Sequence, residues 1–158
     1  MRETSRGIDK KLSDNNDLIG KSWILGLYAC IRAILYPGSG VLVAAKRKKQ
    51  AKLLITSKIM NDLYNKSEAL RREIKSLQNN NNECIIEFWN GSRIEAVVSN
   101  DDSRGYRACV LILDEYRMID QNICDSVLIT FLNKPRQPGY LKYPKSSRSA
   151  ISFLIVAE

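Results

Sequence analysis

Val110-Leu111-Ile112-Leu113-Asp114-Glu115 is the stretch that decides the fold. Its apolar run, which extends back to Ala108, has no period-two alternation. The strand it forms must therefore be covered on both faces, as in a parallel sheet flanked by helices. Two carboxylates that end such a strand fall at the C-terminal edge of the sheet, where α/β proteins bind their ligands. Asp114 can hold a magnesium ion through its water shell. Glu115 can orient and activate an attacking water. Taken alone, the hexapeptide is equally a buried strand that happens to end in surface acids.

Upstream, Val41-Leu42-Val43-Ala44-Ala45 is a second short, continuously apolar run and reads as a second strand buried on both faces. Before it, Ile24, Leu27, Tyr28, Ile31 and Leu35 recur every three or four residues, which predicts an amphipathic helix over 21–36 that Pro37-Gly38 stops. Residues 1–19 show no period, and 13–17 read as a loop. After the strand, Leu54, Ile55, Ile59, Leu63 and Tyr64 carry a helical period. A further helix is expected over 67–78, with Glu68 and Arg72 at i,i+4. Four asparagines at 79–82 read as a loop. Residues 84–89 and 92–98 flank Asn90-Gly91, a strong hairpin signal because both turn residues accept positive φ. A polar loop over 99–107 leads into the deciding strand. A helix over about 120–132 follows, with Ile123, Val127 and Phe131 on one face, and Pro135, Pro138 and Gly139 then mark a loop. Strands interleaved with helices in this way predict an α/β domain with a mostly parallel sheet.

The chain's 158 residues and 44% apolar content suit one globular domain. The absence of histidine excludes a Ser-His-Asp triad, a Cys-His pair and a two-histidine zinc helix. Catalysis would have to use carboxylates, lysine, arginine or a metal held by oxygen. Cys30, Cys84, Cys109 and Cys124 form no CxxC pair, and they read as buried thiols in a reducing compartment. No apolar run approaches the ~18 residues of a membrane span, and the polar first twenty residues carry no secretory signal.

The net charge of +8 is concentrated, since residues 21–58 hold eight basic groups and no acid. Lys46, Arg47, Lys48, Lys49 and Lys52 form the core of this block. It could neutralise phosphates and bind nucleic acid without reading sequence, or be a solvated helix face. Gly20-Lys21-Ser22 stands at the start of the first predicted helix. In a phosphate-binding loop the backbone N–H groups there face the phosphates, the lysine reaches the terminal phosphates and the hydroxyl ligates Mg²⁺. Three residues are a weak signal, but they stand in the right order before Asp114-Glu115. Arg104, on the loop before the deciding strand, could stabilise charge on a transferring phosphoryl group or be a solvated loop residue.

Gly-Lys-Ser-Trp, then Tyr-Pro-Gly, then an apolar strand followed by Lys48-Lys49-Gln50-Ala51 resembles the ATPase module of bacteriophage terminase large subunits. Trp89-Asn90-Gly91-Ser92, Ser103-Arg104-Gly105-Tyr106-Arg107, residues 110–120 and the stretch Phe131 to Tyr140 extend the resemblance. It covers about residues 20–143. It implies a P-loop NTPase-like three-layer fold, and a motor that hydrolyses ATP with Mg²⁺ to drive double-stranded DNA into a prohead. Gly20, Lys21 and Ser22 match the phosphate loop, with Ser22 and Asp114 at the metal. Glu115 matches the catalytic glutamate, and Arg104 the Arg-Gly loop. The resemblance further implies a terminase small subunit and a portal protein as partners, a homo-oligomer whose neighbours supply charge in trans, and the bacterial host cytoplasm as the location.

The sequence also departs from the family. Asp17 stands where relatives carry an arginine, and an acid there repels phosphate. The upstream strand and adenine-contacting segment, the coupling motif after about Lys145 and the acidic nuclease cluster are not matched. The expected organisation is an atypical segment over 1–19, a partial ATPase domain over 20–145 and an atypical tail over 146–158. A decayed or frameshifted prophage origin would produce such ends. The competing expectation is a catalytically inactive remnant that keeps a partial fold and a basic DNA-binding face. An unrelated basic DNA-binding protein ranks lower, because no recognition-helix motif is present.

Overall fold

The computed structural model describes the backbone of residues 4–81, 83–100, 105–133 and 153–156, and side chains over 20–81, 83–100 and 105–132. Helix α1 (Thr4–Leu35) leads into strand β1 (Gly40–Ala45). Helix α2 (Lys48–Leu53) continues as a π-helical segment, Leu54–Tyr64, and α3 (Glu68–Glu73) follows. Then come β2 (Ile74–Asn79), β3 (Cys84–Phe88), β4 (Arg93–Val98) and β5 (Val110–Leu113). A short 3₁₀ turn, Tyr116–Met118, precedes α4 (Gln121–Ile123), which runs on through Cys124–Leu128 and Ile129–Asn133. Strand β6 (Phe153–Val156) completes the described elements.

These strands form one sheet in the order β2-β3-β4-β1-β5-β6. β1 pairs in parallel with both β4 and β5, and β5 with β6, while β3 runs antiparallel to β2 and β4. Alternate residues of the two apolar strands feed different cores. Val41, Val43, Ala45, Val110 and Ile112 pack with Ala29, Ala33, Ile55 and Ile59 under α1 and the π-helical segment. Leu42, Ala44, Leu111 and Leu113 pack with Val127, Leu128 and Phe131 on the opposite face. Helices on both sides explain why neither strand tolerates a polar residue, and the layered, mostly parallel α/β fold agrees with the sequence reading.

Two boundaries differ from expectation. Helix α1 does not begin at Gly20. It runs unbroken from Thr4, and the expected loop at 13–17 lies inside it. No proline precedes Pro37 to interrupt it, and extending a helix beyond its nucleus costs little per residue. The helix expected over 67–78 stops at Glu73. Ile74–Asn79 is instead an edge strand paired with β3, so sheet hydrogen bonding overrides a weak helical period there. Ser67 caps the shortened helix by accepting from the Leu70 N–H, and Arg72 donates to Glu68 at 2.5 Å. The loop over 135–139 and most of the tail over 146–158 lie outside the described residues.

A hairpin forms at Asn90-Gly91, but its loop spans 89–92 rather than two residues, and Gly91 at φ 81° takes the left-handed conformation while Asn90 does not. Its asparagine also serves α1. Asn90 Nδ2 donates to the Ala33 and Ile34 carbonyls at 2.8 and 3.0 Å, while its Oδ1 accepts from the Ser92 N–H at 2.9 Å. These bonds satisfy two C-terminal carbonyls of the helix and lock α1 to the sheet. Among the described residues no helix is long and apolar enough to cross a membrane. All four cysteines are buried and unpaired, and burial pushes the Cys30 thiol up to about 12.

Candidate functional site

Strand β5 delivers its carboxylates to the C-terminal edge of the parallel strands. The Asp114 N–H donates to the Ala44 carbonyl at 3.0 Å, which extends the β1–β5 ladder one residue beyond the strand. Asp114 is half-buried. Burial, and then the charge of neighbouring Glu115, raise its pKa above the ordinary value of 3.8, and a backbone hydrogen bond from Glu115 partly offsets the rise. The chain turns sharply at Glu115, a non-glycine residue at φ 51°, ψ 49°. A left-handed residue other than glycine is uncommon and costs of order ~1 kcal/mol or more, and such residues concentrate at functional sites.

Gln50 is the partner that the sequence reading did not assign. Its Nε2 donates to Glu115 Oε2 at 2.6 Å, across 65 residues of chain. The glutamine belongs to the Lys48-Lys49-Gln50-Ala51 segment, and that motif was the available signal. The geometry follows from β1 and β5 being neighbours, since the helix leaving β1 starts at the edge where β5 ends.

The same crossing brings the basic block to this edge. Lys46 and Arg47 occupy the turn after β1, and Lys48 and Lys49 the first turn of α2. Lys46, Arg47 and Lys49 are exposed. Lys52 faces elsewhere, donating to the Asn80 carbonyl beside the β2–β3 turn at 2.5 Å.

Lys21 and Ser22 lie on α1, whose length is enough to carry them to the level of that edge. Helix α1 ends at Leu35 beside the start of β1 and packs back across β1 and β4. From Leu35 to Lys21 a helix rises ~21 Å, against ~17 Å for the length of β1. Lys21 is exposed and Ser22 half-buried. Their setting corrects one expectation, because Gly20-Lys21-Ser22 does not open the helix. In a continuous helix the local N–H groups are bonded to carbonyls one turn back and do not face a phosphate. Arg104 lies outside the described residues.

Among the described residues no group of three or more His, Cys, Asp or Glu side chains converges to hold a metal. The available donors are hard oxygens, Asp114 with Glu115 beside it and the Ser22 hydroxyl. They suit Mg²⁺, which takes one or two carboxylates and keeps water and substrate phosphates. A half-buried carboxylate repelled by a neighbouring one also gains most from a cation.

No protein-family model and no curated protein sequence matches the chain. Solved structures do. The ATPase domain of the Thermus phage P74-26 large terminase superposes with a TM-score of 0.56 at 19% identity, over 72% of this chain and 50% of that one. The chain has the fold of a large-terminase ATPase domain. A single-substitution variant of the same phage domain matches with the same figures. The present chain therefore spans half the length of the terminase domain it matches, and at this identity the likeness establishes the fold.

Proposed function

We propose that the chain is the ATP-binding and hydrolysing motor module of a phage terminase large subunit, acting in the packaging of double-stranded DNA into proheads. The observation that carries this reading is the Asp114-Glu115 pair at the C-terminal edge of a two-sided parallel sheet, with Glu115 held by Gln50 at 2.6 Å. We take Lys21 and Ser22 to approach the same edge from α1. In this reading Lys21 contacts the terminal phosphates, and Ser22 and Asp114 hold Mg²⁺. The metal supplies charge neutralisation at the phosphates. Glu115 accepts a proton from, and orients, the attacking water, and Gln50 keeps its carboxylate in place. Arg104 steadies developing charge on the phosphoryl group. Lys46, Arg47, Lys48 and Lys49 meet DNA phosphates, with Lys52 an outlying member. Residues 20–145 form the ATPase portion. A small subunit, a portal protein and further copies of the chain are its partners, in the host cytoplasm.

A specific observation favours a second reading, an inactive remnant that keeps the fold and the basic face. The unbroken α1 leaves no phosphate loop ahead of Lys21, and Asp17 adds an acid on that side. Mg-ATP turnover by the chain, compared with Glu115→Gln and Lys21→Ala, separates the two. The motor reading predicts a measurable rate that falls at least ~100-fold in either variant, a loss of about 2.7 kcal/mol of transition-state stabilisation. A rate that is the same in all three proteins rejects it.

A further inference from the structure

The end of the sheet opposite the carboxylates holds a cavity of about 930 Å³. It lies where β1, β4 and β5 begin, a full strand length from Asp114. Gly38, Gly91 and Gly105 leave its mouth free of side chains, and Arg93, Tyr106 and Arg107 supply its functional groups. A Cβ placed on Gly38 or Gly105 would meet nothing within 4 Å, so these glycines face open space. None of the lining residues is acidic.

Specific contacts hold the wall together. Tyr106 packs edge-on against Phe131, with ring centroids 5.8 Å apart, and the Ala108 N–H donates to the Phe131 carbonyl at 2.7 Å. The Ser92 hydroxyl, under the glycine turns, donates to the Tyr36 carbonyl at 2.9 Å and accepts from the Ser39 N–H at 3.1 Å. Behind the wall stands Glu95, 8% exposed, hydrogen-bonded to Tyr106. Its Oε2 accepts no hydrogen bond but forms an ion pair with the Arg93 guanidinium at 3.6 Å. Arg93 keeps 52% of its side chain exposed despite this ion pair, so part of its fork is open to a ligand. Arg107, next in the chain to Tyr106, is exposed and also lines the cavity.

We infer that this cavity is a second anion site, in which Arg93 and Arg107 clamp a phosphate ester at the N-terminal edge of the sheet. Two planar guanidinium forks match phosphate oxygens. The site is a cleft open to solvent and larger than a lone ion needs, so a phosphate carried on a larger body fits best. That body is a free phosphate compound or the backbone of duplex DNA, two sources of the same chemistry. The inference does not rest on ATP hydrolysis at the other edge.

Pyrophosphate and a short duplex DNA would each be titrated against the full chain carrying Lys21→Ala, so that the candidate phosphate loop is disabled. The same titrations would use that chain with Arg93→Gln and Arg107→Gln added, and with Arg93→Lys and Arg107→Lys added, after circular dichroism confirms equal helix and strand content. The glutamine pair should weaken pyrophosphate at least 10-fold, and the lysine pair should recover part of it. If DNA weakens too, and its log–log salt slope drops by about two, one unit per lost cation, the site takes nucleic-acid backbone. If only pyrophosphate weakens, the site takes a free phosphate compound. Equal affinities for both probes in all three proteins would overturn the inference.

Discussion

The two halves of the sheet differ in what each strand can afford to expose. In β1 and β5 every residue is buried, because α1 and the π-helical segment cover one face and the helix over 121–133 covers the other. In β3 the residues alternate, with Cys84, Ile86 and Phe88 buried and Ile85 and Glu87 only half so. Edge strand β2 buries Ile74 alone. The parallel half buries apolar surface on both faces and carries its charged residues at the strand ends. The antiparallel half is a one-sided extension whose other face carries polar groups such as the Ser76–Glu87 hydrogen bond, 3.0 Å long. Parallel strands end at a common edge and so gather loops there. An antiparallel hairpin alternates its ends and gathers none.

This contrast has graded consequences. Ile112→Ala, fully buried in β5, should cost about 2–5 kcal/mol in chemical denaturation. Ile85→Ala in β3 should cost clearly less, and equal losses would break the distinction. Asn90→Ala removes the clamp between the hairpin and the end of α1. It should cost about 1–3 kcal/mol, because it leaves partly buried carbonyls without donors.

A smaller effect, of opposite sign, is expected at the edge carboxylate. The folded pKa of Asp114 is raised, so the native state binds the proton more tightly than the unfolded chain. Stability is therefore lost as pH rises through the window between the ordinary value of 3.8 and the higher folded value. Asp114→Asn should raise the melting temperature at pH 7, and the gain should shrink below pH 4 while any magnesium-dependent turnover is lost. A fall in melting temperature at pH 7 would show that the carboxylate is structural. The smallest effect belongs to the exposed Arg72–Glu68 pair. Its removal by Arg72→Ala should change stability by no more than about 0.5 kcal/mol.

The same contrast explains what the sequence made legible. Residues 41–45 and 110–113 announced a two-sided sheet because uninterrupted apolarity has one economical explanation. Asn90-Gly91 announced the hairpin, although only the glycine takes the left-handed conformation in its loop. The acids after β5 marked where the parallel strands end. The expected helix over 67–78 rests on the Glu68–Arg72 spacing, which lies within 68–73, and only pairing with β3 makes 74–79 a strand. The continuation of α1 ahead of Gly20 was missed for the converse reason, since that stretch lacks an apolar period. Gln50 was visible only as part of a motif. Its bond to Glu115 depends on β1 and β5 being neighbours, and no local pattern encodes that.

The central claim is that nucleotide chemistry belongs to the C-terminal edge of the parallel half. Amide hydrogen exchange of the chain with and without Mg-ATP tests it most directly. The account predicts slower exchange at 46–50 and 114–118, faster exchange in α1 ahead of Gly20 as that turn opens to form a phosphate loop, and no change over 74–79 and 84–88. Protection confined to the antiparallel strands, or an exchange pattern indifferent to Mg-ATP, would contradict it.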